Sequence, residues 1–115
     1  MVFKEWLSRI RIKAFGSRLK RIQWDAEHGV AAAQCDLGQC YFKGLGVPRS
    51  YPEAVKWYRK AAAQGVPEAQ FVLANCYYVG RGVGQDHAEA MKWYRRAAGH
   101  GHPQALSILS IWSKG

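Results

Sequence analysis

Apolar positions along this chain recur at helical spacing and then stop at glycines. Ala33, Leu37, Cys40 and Tyr41 follow one another at steps of four, three and one, which sets them on one face of an α-helix. Ala54, Trp57, Tyr58, Ala61 and Ala62 then form a stripe at i, i+3, i+4, i+7 and i+8. Both patterns return further on, first as Ala69, Leu73, Cys76 and Tyr77, then as Ala90, Trp93, Tyr94, Ala97 and Ala98. The pattern predicts two pairs of helices, in which alanines allow close approach while Trp and Tyr fill the space beside them. Start and stop signals agree. Ser50 with Glu53 and Asp86 with Glu89 have the spacing of capping boxes. Pro67 and Pro103 suit the first turn of a helix, and Gly65 and Gly101 follow last turns rich in cations.

One interval governs the stretch. Trp57 and Trp93 are 36 residues apart, as are Gly65 and Gly101, and residues 29–64 laid over 65–100 are identical at 18 of 36 positions. A third, truncated copy starts at Gly101, where Pro103, Ala105 and Leu109 match Pro67, Ala69 and Leu73. A period of this length signals stacked supersecondary units, none of which buries its apolar face alone. The expected core of the repeats is Leu37, Tyr41, Trp57 and Tyr58 in the first unit, and Leu73, Tyr77, Trp93 and Tyr94 in the second. The organisation expected is one domain: residues 1–28 as a basic amphipathic cap, 29–64 and 65–100 as repeats, and 101–115 as a half repeat closing the C-terminal end. In that last segment Leu106 and Leu109 are expected to pack inward. Ile108, Ile111 and Trp112 then make a second apolar face, a candidate contact for a weak homodimer.

Charge changes this picture at two places. The chain has 17 Lys and Arg against 8 Asp and Glu, a formal net charge of +9, which favours acidic partners or anionic surfaces. Much of the excess lies in the first 24 residues, where Phe3, Trp6, Leu7, Ile10 and Ala14 also run at helical spacing. Such a helix suits either the exposed end of a solenoid or an anionic membrane. Lys56, Arg59 and Lys60, echoed by Lys92, Arg95 and Arg96, lie off the Trp-Tyr stripe and make a basic outer ridge. A membrane-surface or nucleic-acid binder using residues 1–24 and this ridge is therefore the rival reading.

Chemistry is sparse. Gly44-Leu45-Gly46 and Gly80-Arg81-Gly82-Val83-Gly84 follow helices and no Gly-Lys-Ser/Thr comes after them, so they read as helix-to-helix turns needing positive φ and not as phosphate loops. His100 and His102 flank Gly101, but a loop HxH falls short of the four ligands of a zinc site, and no metal or other cofactor is expected. No GxSxG, HExxH or paired-carboxylate spacing occurs, so no catalytic residue is assigned and the chain is not expected to be an enzyme. Three cysteines, Cys35, Cys40 and Cys76, cannot all pair within one chain, and Cys40 and Cys76 read as small core thiols. Reduced thiols, no apolar run near the roughly 20 residues of a spanning helix, and a basic N-terminus without an unbroken apolar segment make the cytosol the expected compartment.

The stretch AQFVLANCYYVGRGVGQDHAEAMKWYRRAAGHGHPQA, residues 69–105, resembles the Sel-one-like repeat, a tetratricopeptide-type family, with small, large and glycine positions in register. The likeness covers about residues 26–112; Ala74 stands where a glycine is usual, and Ser50 where the second unit has Asp86. The resemblance implies an all-α fold, a short right-handed α-solenoid of helix-turn-helix repeats with capping helices at both ends. It implies work done by holding another protein, as an adaptor, a scaffold or an inhibitor of the immunity-protein type found among bacterial relatives. Some secreted members are stapled by a disulfide between the two helices of a unit; that cysteine pairing is absent here. In such units the first helices line the concave side. Carried over, the groove positions are Cys35, Gln39, Phe42 and Lys43 from the first unit, Phe71, Asn75, Tyr78 and Val79 from the second, and Gln104, Ser107 and Ile111 from the third. Aromatic rings interleaved with amides suit a peptide or loop, because rings give contact area at low entropic cost and amides pair with exposed backbone.

Overall fold

The computed structural model describes residues 16–113, which are helices and the turns between them. The expected amphipathic helix through Phe3, Trp6, Leu7, Ile10 and Ala14 lies outside the described residues. Residues 16–27 form α1. Helices α2 (Ala31–Lys43) and α3 (Tyr51–Ala63) make the first hairpin, α4 (Pro67–Val79) and α5 (His87–Gly99) the second, and α6 (Pro103–Ser113) begins a third. From α2 onward each helix packs against the next in chain order, giving an all-α solenoid.

Helix ends follow their sequence signals, with one difference. Ser50 Oγ accepts the Glu53 N–H at 3.3 Å and Asp86 Oδ1 accepts that of Glu89 at 3.1 Å, which fixes the starts of α3 and α5. The two glutamates leave the other half of the capping box: their carboxylates face Lys56 at 3.9 Å and Lys92 at 3.8 Å, one turn along the same helices. Gly44 and Gly80 end α2 and α4 in the left-handed conformation, with φ of 71° and 75°. Gly82 is demanded by packing as well as by its φ of 72°. A Cβ there would stand 2.5 Å from the carbonyl oxygen of Tyr51, so the loop of the second unit lies directly on the start of α3.

The Trp positions explain why the units dock. Trp57 is 7 % exposed and packs with Leu19, Ala26, Ala33, Leu37 and Cys40, against the helices that precede it. Trp93, 9 % exposed, does the same one repeat later with Ala69, Leu73 and Cys76. Tyr58, Tyr94, Leu37 and Leu73 are buried, and Tyr41 and Tyr77 are half-buried against the same core.

Polar stitching accompanies this packing. Gln34 Nε2 donates to the Ala26 carbonyl at 3.2 Å, and Gln70 Nε2 donates to that of Ala62 at 3.1 Å. Each glutamine thus bonds a carbonyl near the end of the preceding helix from inside the first helix of the next hairpin. Where the third unit has Leu106, this bond is missing.

The C-terminal helix differs from its sequence reading. Leu106, expected inward, is 50 % exposed, whereas Ile108, Leu109 and Trp112 are half-buried against the core. The positions equivalent to Leu106 are buried glutamines that bond the preceding helix, and Gln34 is also met by Gln64, the C-cap of its own unit's second helix, at 2.8 Å. Among the described residues α6 has no second helix, so Leu106 meets solvent.

Candidate binding face

On α4 the residues Ala69, Gln70, Leu73, Ala74 and Cys76 are buried, which turns Phe71, Val72, Asn75, Tyr78 and Val79 outward at helical spacing. Two clefts flank that outward strip. One, of about 190 Å³, is lined by Phe42 of α2, by Val72, Asn75, Cys76 and Val79 of α4, and by Arg81. The other, of about 400 Å³, is lined by Phe71 of α4 and by Pro103, Gln104, Ser107 and Ile108 of α6. Six of the positions carried over from the family pattern, Phe42, Phe71, Asn75, Val79, Gln104 and Ser107, therefore line clefts on either side of one helix.

Asn75 lines the smaller of them. Its Oδ1 accepts a hydrogen bond from the hydroxyl of Tyr94, which fixes the amide and leaves Nδ2 without a protein partner among the described residues. A fixed amide with free N–H donors can bond the backbone carbonyl of an extended ligand crossing α4. The phenol of Tyr94 is pushed up to about 12, by burial first and then by Tyr78 and Cys76, so it remains a hydroxyl donor throughout the physiological range.

Aromatic rings give the face its rigidity. Phe71 stacks on His102 at 4.4 Å and leans on Tyr94 at 5.7 Å. Tyr78, half exposed, stacks on His87 at 4.6 Å and on Trp112 at 5.5 Å, and Trp112 sets its edge on Tyr94 at 5.4 Å. Tyr78 and Trp112, read from the sequence as a partner contact and a dimer contact, thus belong to one stack. Of the three residues of the candidate dimer face, Ile108 and Trp112 turn inward and Ile111 is 68 % exposed. Gln39 and Lys43 are exposed on α2 and line neither cleft.

The histidine pair is divided. His102 is buried at the start of α6, where its Nδ1 accepts the Ala105 N–H at 3.3 Å. That leaves Nε2–H to donate to the Glu68 carboxylate at 2.7 Å, while His100 is exposed. No group of three or more His, Cys, Asp or Glu that could hold a metal occurs among the described residues. The thiols are free and electrostatically quiet. Burial, then Asp36 and Glu68, pushes Cys35 up to about 11; burial also pushes Cys76 up to about 11 and raises Cys40.

Cations of the outer ridge lie against aromatic side chains. Lys60 sits 4.6 Å from the centre of the Trp57 ring and Arg96 the same distance from that of Trp93, while Arg59 Nη2 donates to the Tyr77 hydroxyl at 2.8 Å. Val72, Arg81 and Pro103 were absent from the groove positions carried over by pattern. Arg81 had one visible signal: it replaces Leu45 between the two glycines that both turns keep.

The Sel1 repeat family model matches residues 31–66 and 67–102, two residues later at each end than the boundaries read from the periodicity. A Sel1 repeat protein from Oxalobacter formigenes superposes with a TM-score of 0.78 at 37 % identity, covering 79 % of this chain and 68 % of that one. A protective antigen of uropathogenic Escherichia coli strains, displaying an SLR fold, gives a TM-score of 0.68 at 46 % identity over 70 % of this chain and 17 % of its own. Helicobacter pylori cysteine rich protein B shares the fold, with a TM-score of 0.75 at 23 % identity, covering 78 % of this chain and 68 % of that one. Among curated proteins, the rat (Rattus norvegicus) DAP3-binding cell death enhancer 1 is 53 % identical over 38 residues, which are 33 % of this chain and 8 % of that protein.

Proposed function

This chain belongs to the Sel1 repeat family, and from that premise we propose that it acts without catalysis, gripping a protein partner across the face formed by α2, α4 and α6. Sel1 repeats are protein-interaction modules, and the name of the rat relative states that it binds another protein. The observation that carries the reading is the pair of clefts on either side of α4, with the Asn75 amide in the smaller one held by Tyr94. An aromatic wall, an apolar recess and a fixed side-chain amide donor are what an extended segment needs in order to bind at low entropic cost. Within this reading the protein is an adaptor or an inhibitor that holds one partner, in the cytoplasm. No helix among the described residues is long and apolar enough to cross a membrane.

The test is to fill a cleft without disturbing the core. Ser107 is exposed at the rim of the larger recess, so Ser107→Trp blocks it while leaving the packed side of α6 intact. Proteins captured by the wild-type chain are expected to be lost from Ser107→Trp and retained by Arg95→Ala on the ridge, with thermal melts of all three alike. Equal capture by Ser107→Trp, or loss on Arg95→Ala, contradicts the reading.

A further inference from the structure

The smaller cleft has a cationic rim that the described part of the protein does not neutralise. Arg81 lines the cleft itself, with its guanidinium carbon 5.9 Å from the centre of the Phe42 ring and 5.2 Å from that of Tyr51. Arg49 stands 5.3 Å from the same Tyr51 ring. Gly44 places the end of α2 beside Arg49, since a Cβ on Gly44 would meet the Cβ of Arg49 at 3.2 Å, and the neighbouring Lys43 is exposed. Stacking on aromatic faces holds a guanidinium plane in place and leaves its edge N–H donors free.

Among the described residues none of Lys43, Arg49 and Arg81 pairs with a carboxylate. The acids at the adjoining helix starts are committed elsewhere: Glu53 faces Lys56, Glu89 faces Lys92, and Asp86 caps α5. Towards the start of α4, by the larger cleft, Glu68 is held by His102. The face is therefore polarised along α4, with free positive charge gathered where the smaller recess opens. Like charges held together on one ring repel unless a ligand neutralises them.

Resting on the reading of this face as a protein-binding groove, we infer that the partner segment is acidic. An apolar side chain enters the recess of about 190 Å³, and neighbouring Asp or Glu side chains meet the edges of Arg81 and Arg49. Two cations over one ring, Arg49 and Arg81, call for more than one carboxylate, which side chains along a segment supply and a single chain terminus does not. Asn75 Nδ2 then bonds the backbone of the same segment as it crosses towards Phe71.

The test is peptide display against the immobilised full chain, followed by anisotropy titration of a selected peptide labelled with fluorescein. Expected are peptides carrying Asp or Glu beside a large apolar residue. Their binding should fall about tenfold in Arg81→Gln, recover in part in Arg81→Lys, weaken with added salt, and stay unchanged in Arg95→Gln. Arg49→Gln, whose side chain is at the rim alone, provides a second reading of the same loss should Arg81→Gln lower the melting temperature. Selected peptides that are neutral or basic, or affinities indifferent to both substitutions, overturn the acidic partner while leaving the groove in place. Failure to select any peptide overturns the groove as well.

Discussion

The two repeats share half their residues and the same helix lengths, yet they close their hairpins differently. In the first unit Gly38 lies under the Tyr58 ring, where a Cβ would come within 3.0 Å of the ring carbons, and Phe42 sets its edge on Tyr58 at 6.4 Å. In the second, Ala74 takes the glycine's place, and Tyr94 bonds Asn75 and is flanked by Phe71 and Trp112. The first unit is finished as packing. The second uses the same tyrosine to orient an amide on the outer side of α4. The outer side of α4 is remade by a few exchanges within a shared frame: Ala74 for Gly38, Asn75 for Gln39, and Arg81 for Leu45.

Breaking the shared frame should give the largest effect. Trp93→Ala empties the joint between α5 and the helices before it and is expected to cost about 3 to 5 kcal/mol in urea unfolding. A cost below about 1 kcal/mol would mean that the Trp does not carry the docking. Next comes the glycine that separates the units. At an exposed helical site Gly→Ala gains about 1 kcal/mol. Gly38→Ala drives a methyl into the buried Tyr58 ring, and since overpacking costs typically about 1 to 3 kcal/mol, a net loss of about 1 kcal/mol is expected. A gain would show that Tyr58 moves aside as freely as Tyr94 sits above Ala74.

The smallest difference is expected at the two buried glutamines. Gln34 donates to Ala26 and accepts from Gln64, which also donates to the Gly29 carbonyl at 3.0 Å. Gln70 donates to Ala62, but its buried Oε1 has no partner, because His100 stands where the first unit has Gln64. Gln34→Leu is therefore expected to cost about 1 kcal/mol more than Gln70→Leu. Equal costs in parallel unfolding curves would remove the distinction.

The frame was legible in the sequence because helical spacing and a period of 36 report the same thing twice. Leu37, Leu73 and both Trp-Tyr pairs recur in step, and a residue that recurs at the repeat pitch on an apolar stripe has to face the neighbouring unit. Residues whose role depends on a broken repeat were harder to read. Leu106 is apolar and in register, but the helix that would cover it is not among those described. Trp112 read as surplus apolar area; it stands one period after Cys76, which lines the cleft beside Phe42, and it stacks on Tyr78. Gln34 and Gln70 showed their identity without showing their bonds, since a side chain reaching back eight residues leaves no trace in periodicity. Arg81 was hidden in a glycine-rich turn, where charge is commonly just solvated. Its place at the cleft follows from how tightly that turn lies on α3, which the absent Cβ of Gly82 permits.

The account turns on where a ligand sits, and nitrogen-15 chemical-shift mapping with a bound peptide from the display selection measures that directly. The largest shifts are predicted on α2, α4 and α6, at Phe42, Phe71, Asn75, Arg81 and Gln104, with the amides of Arg59, Lys60, Arg95 and Arg96 unmoved. Shifts gathered on those four ridge residues, with Asn75 and Arg81 silent, would contradict it.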